Sequence, residues 1–560
     1  MIDRIVCTTT TGMLRSESAR AAVAITAAGS LLAGGCAAPD EGSGAVAITY
    51  LEPQFFRTLY PPEAGFYPNG AVVNNIADRL LYQDPETLEL HPWLATDLPE
   101  VNDDATEFTF TIRDDVTFSD GSPLTPETVV KNFDLFADGD DSRTLSGSEQ
   151  ITNYSHGEVL DDHTVRFHFD KPEPGFVQAT SSFNAGILSD ETLDFDSEGF
   201  GPGNATNVVA TGPFVVAEED LGTRLVLRAR DDYDWAPEAR DHSGRPEIDE
   251  VHYVFAAEDS VRVGAVRSGQ ADIAREIPAP EEPLLEEYGV DVQAYGTNGM
   301  NNQIAFRFTH PKLQDIRVRR ALIAAIDREE VLYTLFSDSY PLAASAMART
   351  AAGYKEQEGA YTYDPELAER LLDEAGWTRQ GGGLREKDGE TLEFTINEAL
   401  PQPRSREVVT KIQEQLARIG VGLHLNPGDQ AAQDSDSKDK EKIQLRHTMV
   451  GRADFDVIVS LYHRDKRNAL LNDADGGDEP ADPELQRLLE AVTAEPDLER
   501  RAEITGKVQD HLTENAYILP LFEEPVVYAV APGIEGLSDE SIGRPNFYEV
   551  TVDEAERSAQ

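Results

Sequence analysis

The chain has 560 residues, and its 103 Asp and Glu against 48 Lys and Arg give a formal net charge of −55. Such an excess of acid repels a phosphate backbone, and no locally basic patch offsets it, so nucleic-acid binding is excluded. Hydrophobic residues make up 40% of the chain and aromatic residues 8%, which excludes wholesale disorder. At roughly 150 residues per domain, this length predicts three or four units, or two larger lobes.

The N-terminus has the pattern of an export signal. Basic and polar residues precede a short apolar stretch at 21–32, which is too short to span a bilayer. Small residues then lead to Cys36, as in a bacterial lipoprotein signal. We therefore predict that residues 1–35 are removed, that Cys36 is lipidated, and that 36–45 form a flexible tether. The alternative is an ordinary secretory signal in which Cys36 is incidental.

The first half of the remaining chain alternates between strand and helix signals. Residues 107–118 place Phe108, Phe110 and Ile112 on one face at a period of two, which predicts a strand. Thr125 is then followed by a proline and an acid, the pattern of a capped helix start. Residues 165–169 and 251–255 predict further strands. This interspersed pattern favours an α/β fold.

The second half of the chain carries equally clear helix signals. Apolar residues repeat every three or four positions over 318–326, which predicts an amphipathic helix. Asp364, followed by a proline, predicts the start of another helix. Segments 484–494 and 500–512 predict a helical pair. Residues 428–442 are polar and of mixed charge, and we expect them to form a solvated surface loop.

Motifs for catalysis and cofactor binding are missing from the sequence. It contains no Gly-x-Ser-x-Gly, no Gly-x-Gly-x-x-Gly and no His-Glu-x-x-His, and Arg501 stands where a phosphate-binding loop needs its first glycine. The only cysteines are Cys7 and Cys36, so a disulfide or cysteine-based zinc site is excluded after residue 36. We therefore predict a protein that is not an enzyme and that uses no cofactor or metal.

A series of short motifs follows in order from about residue 46 to residue 550. These motifs lie at 75–81, 92–95, 110–125, 211–214, 269–273, 315–322, 326–328, 363–365, 375–377 and 518–522. Each motif is weak by itself, but their order and spacing together resemble the family 5 extracellular solute-binding proteins. Members of this family are the receptors of ABC importers for peptides, nickel and related solutes.

The resemblance implies a two-lobed periplasmic-binding-protein-like α/β fold, with a hinge that the chain crosses twice. Lobe one would span 46–295, with an inserted subdomain at about 82–203. Lobe two would span 296–520, and 521–560 would return to lobe one. A peptide or similar small organic solute would be enclosed between the lobes and delivered to a membrane permease, with ATPase subunits on the cytoplasmic side. The receptor itself would be an extracytoplasmic monomer, held at the cell membrane only through Cys36.

The resemblance also implies a place for the ligand's ammonium group. In peptide-binding relatives, an aspartate ten residues beyond an aromatic-Asp-Val strand start contacts this group. Phe455-Asp456-Val457 is predicted to begin that strand here, so Asp465 would be the aspartate, with Tyr462 and His463 along the peptide backbone. The alternative is that Asp465 lies in an exposed charged loop beside Arg464.

Further ligand contacts are predicted near the first strand and the first hinge crossing. Glu52, Phe55, Phe56 and Arg57 follow the first strand, where relatives contact ligand; the alternative for the phenylalanines is packing within the lobe. Asn298, Asn301 and Asn302 could bond ligand or cap the turn. A second hypothesis is an anionic solute bound through Arg57, Arg464 or Arg467, since the loop containing Asp465 is basic.

Two other classes of protein stay open at this point. A secreted hydrolase acting on acidic polymers or glycans would need a carboxylate pair at a fixed separation. A cell-surface adhesin or sensor lipoprotein would bind a protein partner without closing a cleft. Neither class is implied by the ordered motifs.

Overall fold

The computed structural model describes residues 45–379, 381–400, 402–466, 472, 479–540 and 542–557. The predicted signal peptide, Cys36, all but the last residue of the predicted tether, and Arg467 lie outside the described residues. Residues Ala45–Gln560 form one compact unit.

The strands are mostly short, and they fall into two large sheets and several small ones. In chain order they are β1 Ala47–Glu52, β2 Leu81–Gln83, β3 Leu90–Pro92, β4 Glu100–Val101, β5 Glu107–Thr111, β6 Tyr154–Val159, β7 Thr164–Phe169, β8 Phe214–Asp220, β9 Arg224–Ala229, β10 Glu250–Phe255, β11 Ile273–Arg275, β12 Asp291–Gly296, β13 Gly299–Phe306, β14 Thr378–Arg379, β15 Arg385–Lys387, β16 Glu390–Thr391, β17 Glu393–Asn397, β18 Gly422–Asn426, β19 Leu445–Gly451, β20 Ile518–Phe522, β21 Pro525–Val530, β22 Ile534–Glu535, β23 Ser538–Asp539, β24 Pro545–Asn546 and β25 Thr551–Val552.

The helices cover the large sheets, and most begin at an acidic or hydroxyl side chain followed closely by proline or an acid. They are α1 Tyr67–Ile76, α2 Pro126–Asp138, α3 Phe176–Ala179, α4 Asp190–Leu193, α5 Asp259–Arg267, α6 Glu282–Glu287, α7 Ile316–Ala325, α8 Arg328–Leu335, α9 Pro365–Glu374, α10 Ser405–Arg418, α11 Gln430–Asp436, α12 Val457–Tyr462, α13 Pro483–Ala494, α14 Leu498–Glu514 and α15 Glu554–Arg557.

Lobe one is built on a sheet that the described residues form in the order β12-β21-β11-β1-β10-β9-β8. β1 runs parallel to both β10 and β11, and the remaining pairs are antiparallel. The central strands are apolar on the faces that helices cover, so this sheet and its helices share one hydrophobic core. The carboxyl ends of β1, β10 and β11 therefore meet at one edge of the lobe.

Lobe two is built on the sheet β18-β17-β19-β13-β20. β13 lies beside both β19 and β20, and each of its eight residues is buried. The ladder shifts register at Met300–Gln303, which marks a bulge close to the point where the chain enters this sheet.

The chain passes between the two large sheets through short segments. It leaves the first sheet at the end of β12 and enters the second at Gly299, and it returns between Phe522 and Pro525. Each crossing is only two residues long, so the two large sheets are held close together at this edge.

A smaller sheet, β4-β5-β7-β6, lies within the segment predicted to be an inserted subdomain. Its inner face carries an aromatic core, in which Phe176 lies 5.2 Å from Phe108 and 5.3 Å from Phe167 between ring centroids. Phe110 and Phe133 join the same group. These rings fix the start of α3 firmly against the sheet.

Most of the secondary structure predicted from the sequence is confirmed. The Thr125 hydroxyl accepts a hydrogen bond from the Thr128 N–H (3.2 Å), as expected of a helix cap. The strands predicted at 108–112, 165–169 and 251–255 correspond to β5, β7 and β10, and the predicted helices correspond to α2, α7, α9, α13 and α14.

Two local predictions are wrong. Residues 455–457 do not begin a strand; they lead into α12, and the strand of this region is β19, which ends before them. The segment 428–442 is not wholly a loop, because it contains α11. That helix forms because the Asp429 carboxylate caps it by accepting from the Ala432 N–H (3.0 Å), and Gln433 is buried against the preceding strand.

Candidate functional site

The edge where β1, β10 and β11 end is the natural position for a ligand, because open α/β sheets bind ligands at the carboxyl ends of parallel strands. Glu52 is the last residue of β1 and Arg275 the last of β11. They form an ion pair, with Arg275 Nη2 lying 2.5 Å from Glu52 Oε1 and Nε donating to Oε2 at 3.0 Å. Glu52 is fully buried.

Two tyrosine hydroxyls complete the surroundings of Glu52. Tyr50 and Tyr253 donate hydrogen bonds to Glu52 Oε2 at 2.8 and 3.2 Å. The Arg275 guanidinium, in turn, lies 3.8 Å from the centroid of the Tyr67 ring. The Glu52 carboxylate is therefore satisfied by protein groups, as a buried charge must be.

The residues that follow β1 divide between the core and the surface. Phe56 is buried, Phe55 is half-buried, and their rings lie 4.8 Å apart. Arg57 is exposed, and its guanidinium lies 4.1 Å from the Phe66 ring. Of these three, only Arg57 exposes a charged group, and its role as a ligand contact stays a prediction.

The asparagines at the first crossing hold the backbone of lobe two. Asn301 is buried and its amide donates to the carbonyls of Ser345 (3.0 Å) and Met347 (2.8 Å). The Asn298 carbonyl accepts from the Arg452 N–H (3.0 Å). Together these bonds tie the bulged start of β13 to its neighbours.

Asn302 links this crossing to the other one through a residue that the sequence prediction missed. Its amide donates to Glu524 Oε2 at 3.1 Å, and its carbonyl oxygen accepts from Nε2 of the buried His447 at 2.6 Å. Burial lowers the pKa of His447 to about 4, so this imidazole is neutral and its Nε2 carries the proton.

Glu524 is the buried one of the two glutamates in the second crossing, since Glu523 pairs with the exposed Arg349. Burial and the nearby negative charge of Glu276 raise its pKa to about 7, although the Asn302 amide works in the opposite direction. The only sequence signal for it was its position just beyond the motif at 518–522. A carboxyl group that titrates near neutrality between two lobes is a candidate contact for a cationic ligand group.

The predicted contacts around Asp465 lie at the end of α12. Tyr462 is fully buried, and its hydroxyl donates to Gln303 Oε1 (2.8 Å). His463 Nδ1 accepts from the Asp465 N–H (3.1 Å). The Asp465 side chain is 72% exposed and lies 3.6 Å from Arg464 Nε. The ammonium role of Asp465 therefore stays a prediction, without the strand from which it was deduced.

The residues directly after β19 form a second charged group that the sequence prediction missed. Arg452 donates to both carboxylate oxygens of Asp454, at 2.8 and 2.9 Å. Asp456 Oδ2 accepts from Arg501 Nη2 at 2.6 Å. Burial by itself would raise the pKa of Asp454, but the Arg452 guanidinium holds it below its usual range.

Glu173 faces this group from the inserted subdomain. Its Oε2 accepts from the Thr152 hydroxyl (2.8 Å) and the Asn153 amide (2.7 Å). Burial, and then the negative charge of Asp456, raise the pKa of Glu173 to about 7. The structure thus brings Glu173, from the segment predicted to be an inserted subdomain, close to Asp456 of the predicted lobe two. Glu52, in contrast, is surrounded by Arg275 and tyrosines and not by another predicted ligand contact.

Comparison with known proteins identifies the class. The profile of the family described as bacterial extracellular solute-binding proteins, family 5, middle, matches residues 89–466. This match covers more than half of the chain. The chain therefore belongs to family 5 of the bacterial extracellular solute-binding proteins, as the ordered motifs predicted.

Individual relatives agree with this assignment. The chain is 29% identical to protein XP55 of Streptomyces lividans over 393 residues, which cover 68% of this chain and 67% of that protein. It is 25% identical to the oligopeptide-binding protein OppA of Mycobacterium tuberculosis over 458 residues, covering 77% and 72%. NikA from Brucella suis, solved in complex with Fe(III)-EDTA, has a TM-score of 0.77 at 20% identity and covers 90% of this chain and 100% of its own.

These findings confirm the predicted fold and the predicted general function. The chain is a two-lobed substrate-binding receptor of an ABC importer for peptides or related solutes, and the hydrolase and adhesin alternatives are not favoured. Its relatives are non-enzymatic receptors. None of the helices in the described residues is long and apolar enough to cross a membrane. The described residues also hold no cluster of three metal-ligating side chains.

Proposed function

We propose that the solute is a short peptide with a free ammonium group, enclosed between the lobes and handed over unchanged. The observation that carries this proposal is the set of carboxylates at the junction of the lobes: Glu173 and Glu524, which titrate near neutrality, and Asp454 and Asp456 after β19. A carboxylate is the natural partner of an ammonium group. The relationship to the oligopeptide-binding protein OppA supports the same class of solute.

Capture of such a solute requires no chemistry. A peptide that contacts both lobes binds the closed form more tightly than the open form, and so it shifts the population toward closure. A solute with equal affinity for both forms would shift nothing. Strand edges and main-chain groups at the crossings can pair with the peptide backbone, which is common to all sequences.

The peptide assignment predicts a specific pattern of thermal shifts. Free di- to pentapeptides should raise the Tm of the wild-type chain by linkage, and their N-acetylated counterparts should not. If Asp465 meets the ammonium group, Asp465→Ala should abolish the rise, whereas Asp104→Ala, at an exposed turn, should leave it intact. Differential scanning fluorimetry, followed by calorimetric titration of the active peptides, measures both effects.

Other outcomes of the same screen have defined meanings. Full peptide affinity in Asp465→Ala would rule out that residue and point to the carboxylates after β19. A response to acetylated peptides and organic acids, lost in Arg57→Glu or Arg464→Glu, would favour the anionic solute instead. No response to any peptide would contradict the proposal.

We also propose that the mature receptor is a monomer anchored outside the cytoplasm by a lipid on Cys36. The support is the sequence pattern before Cys36 and the extracytoplasmic location of the family. Cys36→Ser should move the full-length chain from the membrane fraction to the soluble extracytoplasmic fraction and abolish labelling by a fatty-acid analogue. Retention of the label in Cys36→Ser would exclude this residue as the anchor.

A further inference from the structure

Three contacts between the inserted subdomain and lobe two stand out within the described residues. Gln83 Nε2 donates to the Ala453 carbonyl at 3.3 Å, and Gln150 Nε2 donates to Asp454 Oδ2 at 3.2 Å. At the third point, Gly175 lies directly against Asp456. All three partners in lobe two follow β19, so one short segment of lobe two receives all three contacts.

The contact at Gly175 leaves no room for a side chain. A β-carbon built on Gly175 would lie 2.2 Å from Asp456 Oδ2 and 3.4 Å from Arg501 Nη2. The backbone of Gly175 has φ −69° and ψ −14°, a conformation open to every residue. The position therefore needs glycine because of the opposite lobe and not because of its own backbone.

The surface that Gly175 meets is held rigidly. Asp456 is bound to Arg501, whose side chain is almost fully buried and whose Nε donates to the Val492 carbonyl at 2.9 Å. On the other side, Gly175 immediately precedes Phe176, which is packed into the aromatic core of the subdomain. Neither surface can move aside without disturbing its own lobe.

Each side of the contact keeps its charges paired without the other. Asp454 retains Arg452, Asp456 retains Arg501, and Glu173 retains Thr152 and Asn153. When the lobes separate, no buried charge is therefore left without a partner in either lobe. Contact, in contrast, buries Gln150 Oε1 and Asp456 Oδ1 without a partner, and each such atom loses its water. The contact therefore has both a gain and an opposing cost, as a reversible contact requires.

We propose that Gln83, Gln150 and Gly175 of the inserted subdomain form a clasp with residues 453–456 of lobe two, and that this clasp controls closure of the lobes. The inserted subdomain then takes part in the closure of the lobes and does not only enlarge lobe one. The clasp keeps the open and closed forms close in free energy, and contacts with the solute then favour the closed form. The clasp acts on the free protein as well, so its test does not depend on the identity of the solute proposed above.

The test measures the distance between the lobes in the full-length chain without solute. Cys7→Ser and Cys36→Ser remove the native thiols, and Asp162→Cys and Glu499→Cys place spin labels at exposed positions on the inserted subdomain and on lobe two. Pulsed electron paramagnetic resonance should show a short and a long distance. Gly175→Ala should reduce the short-distance population by roughly tenfold, because steric overlap in a packed contact destabilises the closed form by about that factor.

Gly264→Ala is the matched control. A β-carbon at Gly264 meets no atom within 4 Å, so both populations should stay as in the wild type. Gln150→Glu is a second variant that removes a donor and adds a charge beside Asp454; it should also shift the lobes apart, and Gln430→Glu, on the exposed surface, should not.

Several results would overturn the clasp. The first is an unchanged distance distribution in both Gly175→Ala and Gln150→Glu. The second is a wild-type chain with no short-distance population at all. The third is a Gly175→Ala chain that melts at a lower temperature than Gly264→Ala while its distances stay the same, because the contact would then be a permanent part of the fold.

Discussion

At the residue scale, Glu52 is a charged side chain at the predicted ligand-binding edge whose carboxylate is bound by other residues of the protein. It stands at the end of β1, where the sequence predicted a ligand contact, but its carboxylate is occupied by Arg275 and two tyrosine hydroxyls. A buried ion pair adds little net stability, yet removal of one partner leaves the other charge stranded. The same arrangement holds Arg275 over the ring of Tyr67.

This arrangement predicts that Glu52→Gln destabilises the fold. The Arg275 guanidinium would lose its buried counter-charge, at a cost of about 3–5 kcal/mol in the free energy of unfolding. Urea denaturation followed by circular dichroism measures this loss, and Glu89→Gln, at an exposed position, should change stability by less than about 0.5 kcal/mol. Unchanged stability together with lost solute affinity would instead make Glu52 a direct ligand contact.

At the scale of elements, the position of one strand changes which carboxylates directly follow it. Phe455-Asp456-Val457 resembles the start of a strand, but β19 has already ended at Gly451. The apolar side chains that follow, Val457, Ile458 and Leu461, are buried in a helix that contacts α13. The acids directly after the strand are consequently Asp454 and Asp456, and Asp465 lies beyond the helix.

At the scale of the whole molecule, two raised carboxyl groups couple proton binding to the association of the lobes. Glu173 faces Asp456 and Lys466 across the contact, and Thr152 and Asn153 lie beside it on its own side. Glu524 lies at the second crossing, and its neighbours there are Asn302, Glu276 and Arg275. Both have a pKa of about 7 in the folded protein. The unfolded chain titrates its glutamates near 4.3.

The contribution of Glu173 and Glu524 to stability should therefore fall as the pH rises from about 5 to 7.5, and His447, which is neutral in the folded protein, opposes this fall below about pH 6.5. At these two glutamates the folded form binds more protons than the unfolded form in this window, so their stabilising contribution is largest at the acid end and is lost as the pH rises through the folded pKa. Each group contributes at most about 4 kcal/mol, since one pKa unit corresponds to about 1.4 kcal/mol. Chemical denaturation at intervals across this range should show the slope, and Glu173→Gln should reduce it.

The control and the contrary result are specific. Glu258→Gln, at an exposed position, should leave the slope unchanged. Carboxyl groups with lowered pKa values, such as Asp482 at about 2, lose their contribution only at lower pH and do not enter this window. A slope that is the same in Glu173→Gln and the wild type would show that Glu173 is already ionised in the folded protein.

The sequence by itself determined the family, the fold class and many of the elements, because these depend on local patterns. Thr125 predicts its helix through a cap, and the alternation of Phe108 and Phe110 predicts β5, without reference to the rest of the chain. The ordered motifs predicted the receptor function in the same way. Such signals can be recognised in the sequence because each of these residues acts through residues that are close to it along the chain.

Tertiary structure decided which charges face one another. Gln150 and Asp454 are 304 positions apart, and Glu52 and Arg275 are 223 positions apart, so no spacing in the sequence reveals either pair. Gly175 likewise shows its constraint only against Asp456 of the opposite lobe. The candidate ligand contacts and the clasp depend on these long-range pairs, because burial and proximity of charge are properties of the packed molecule and not of any segment.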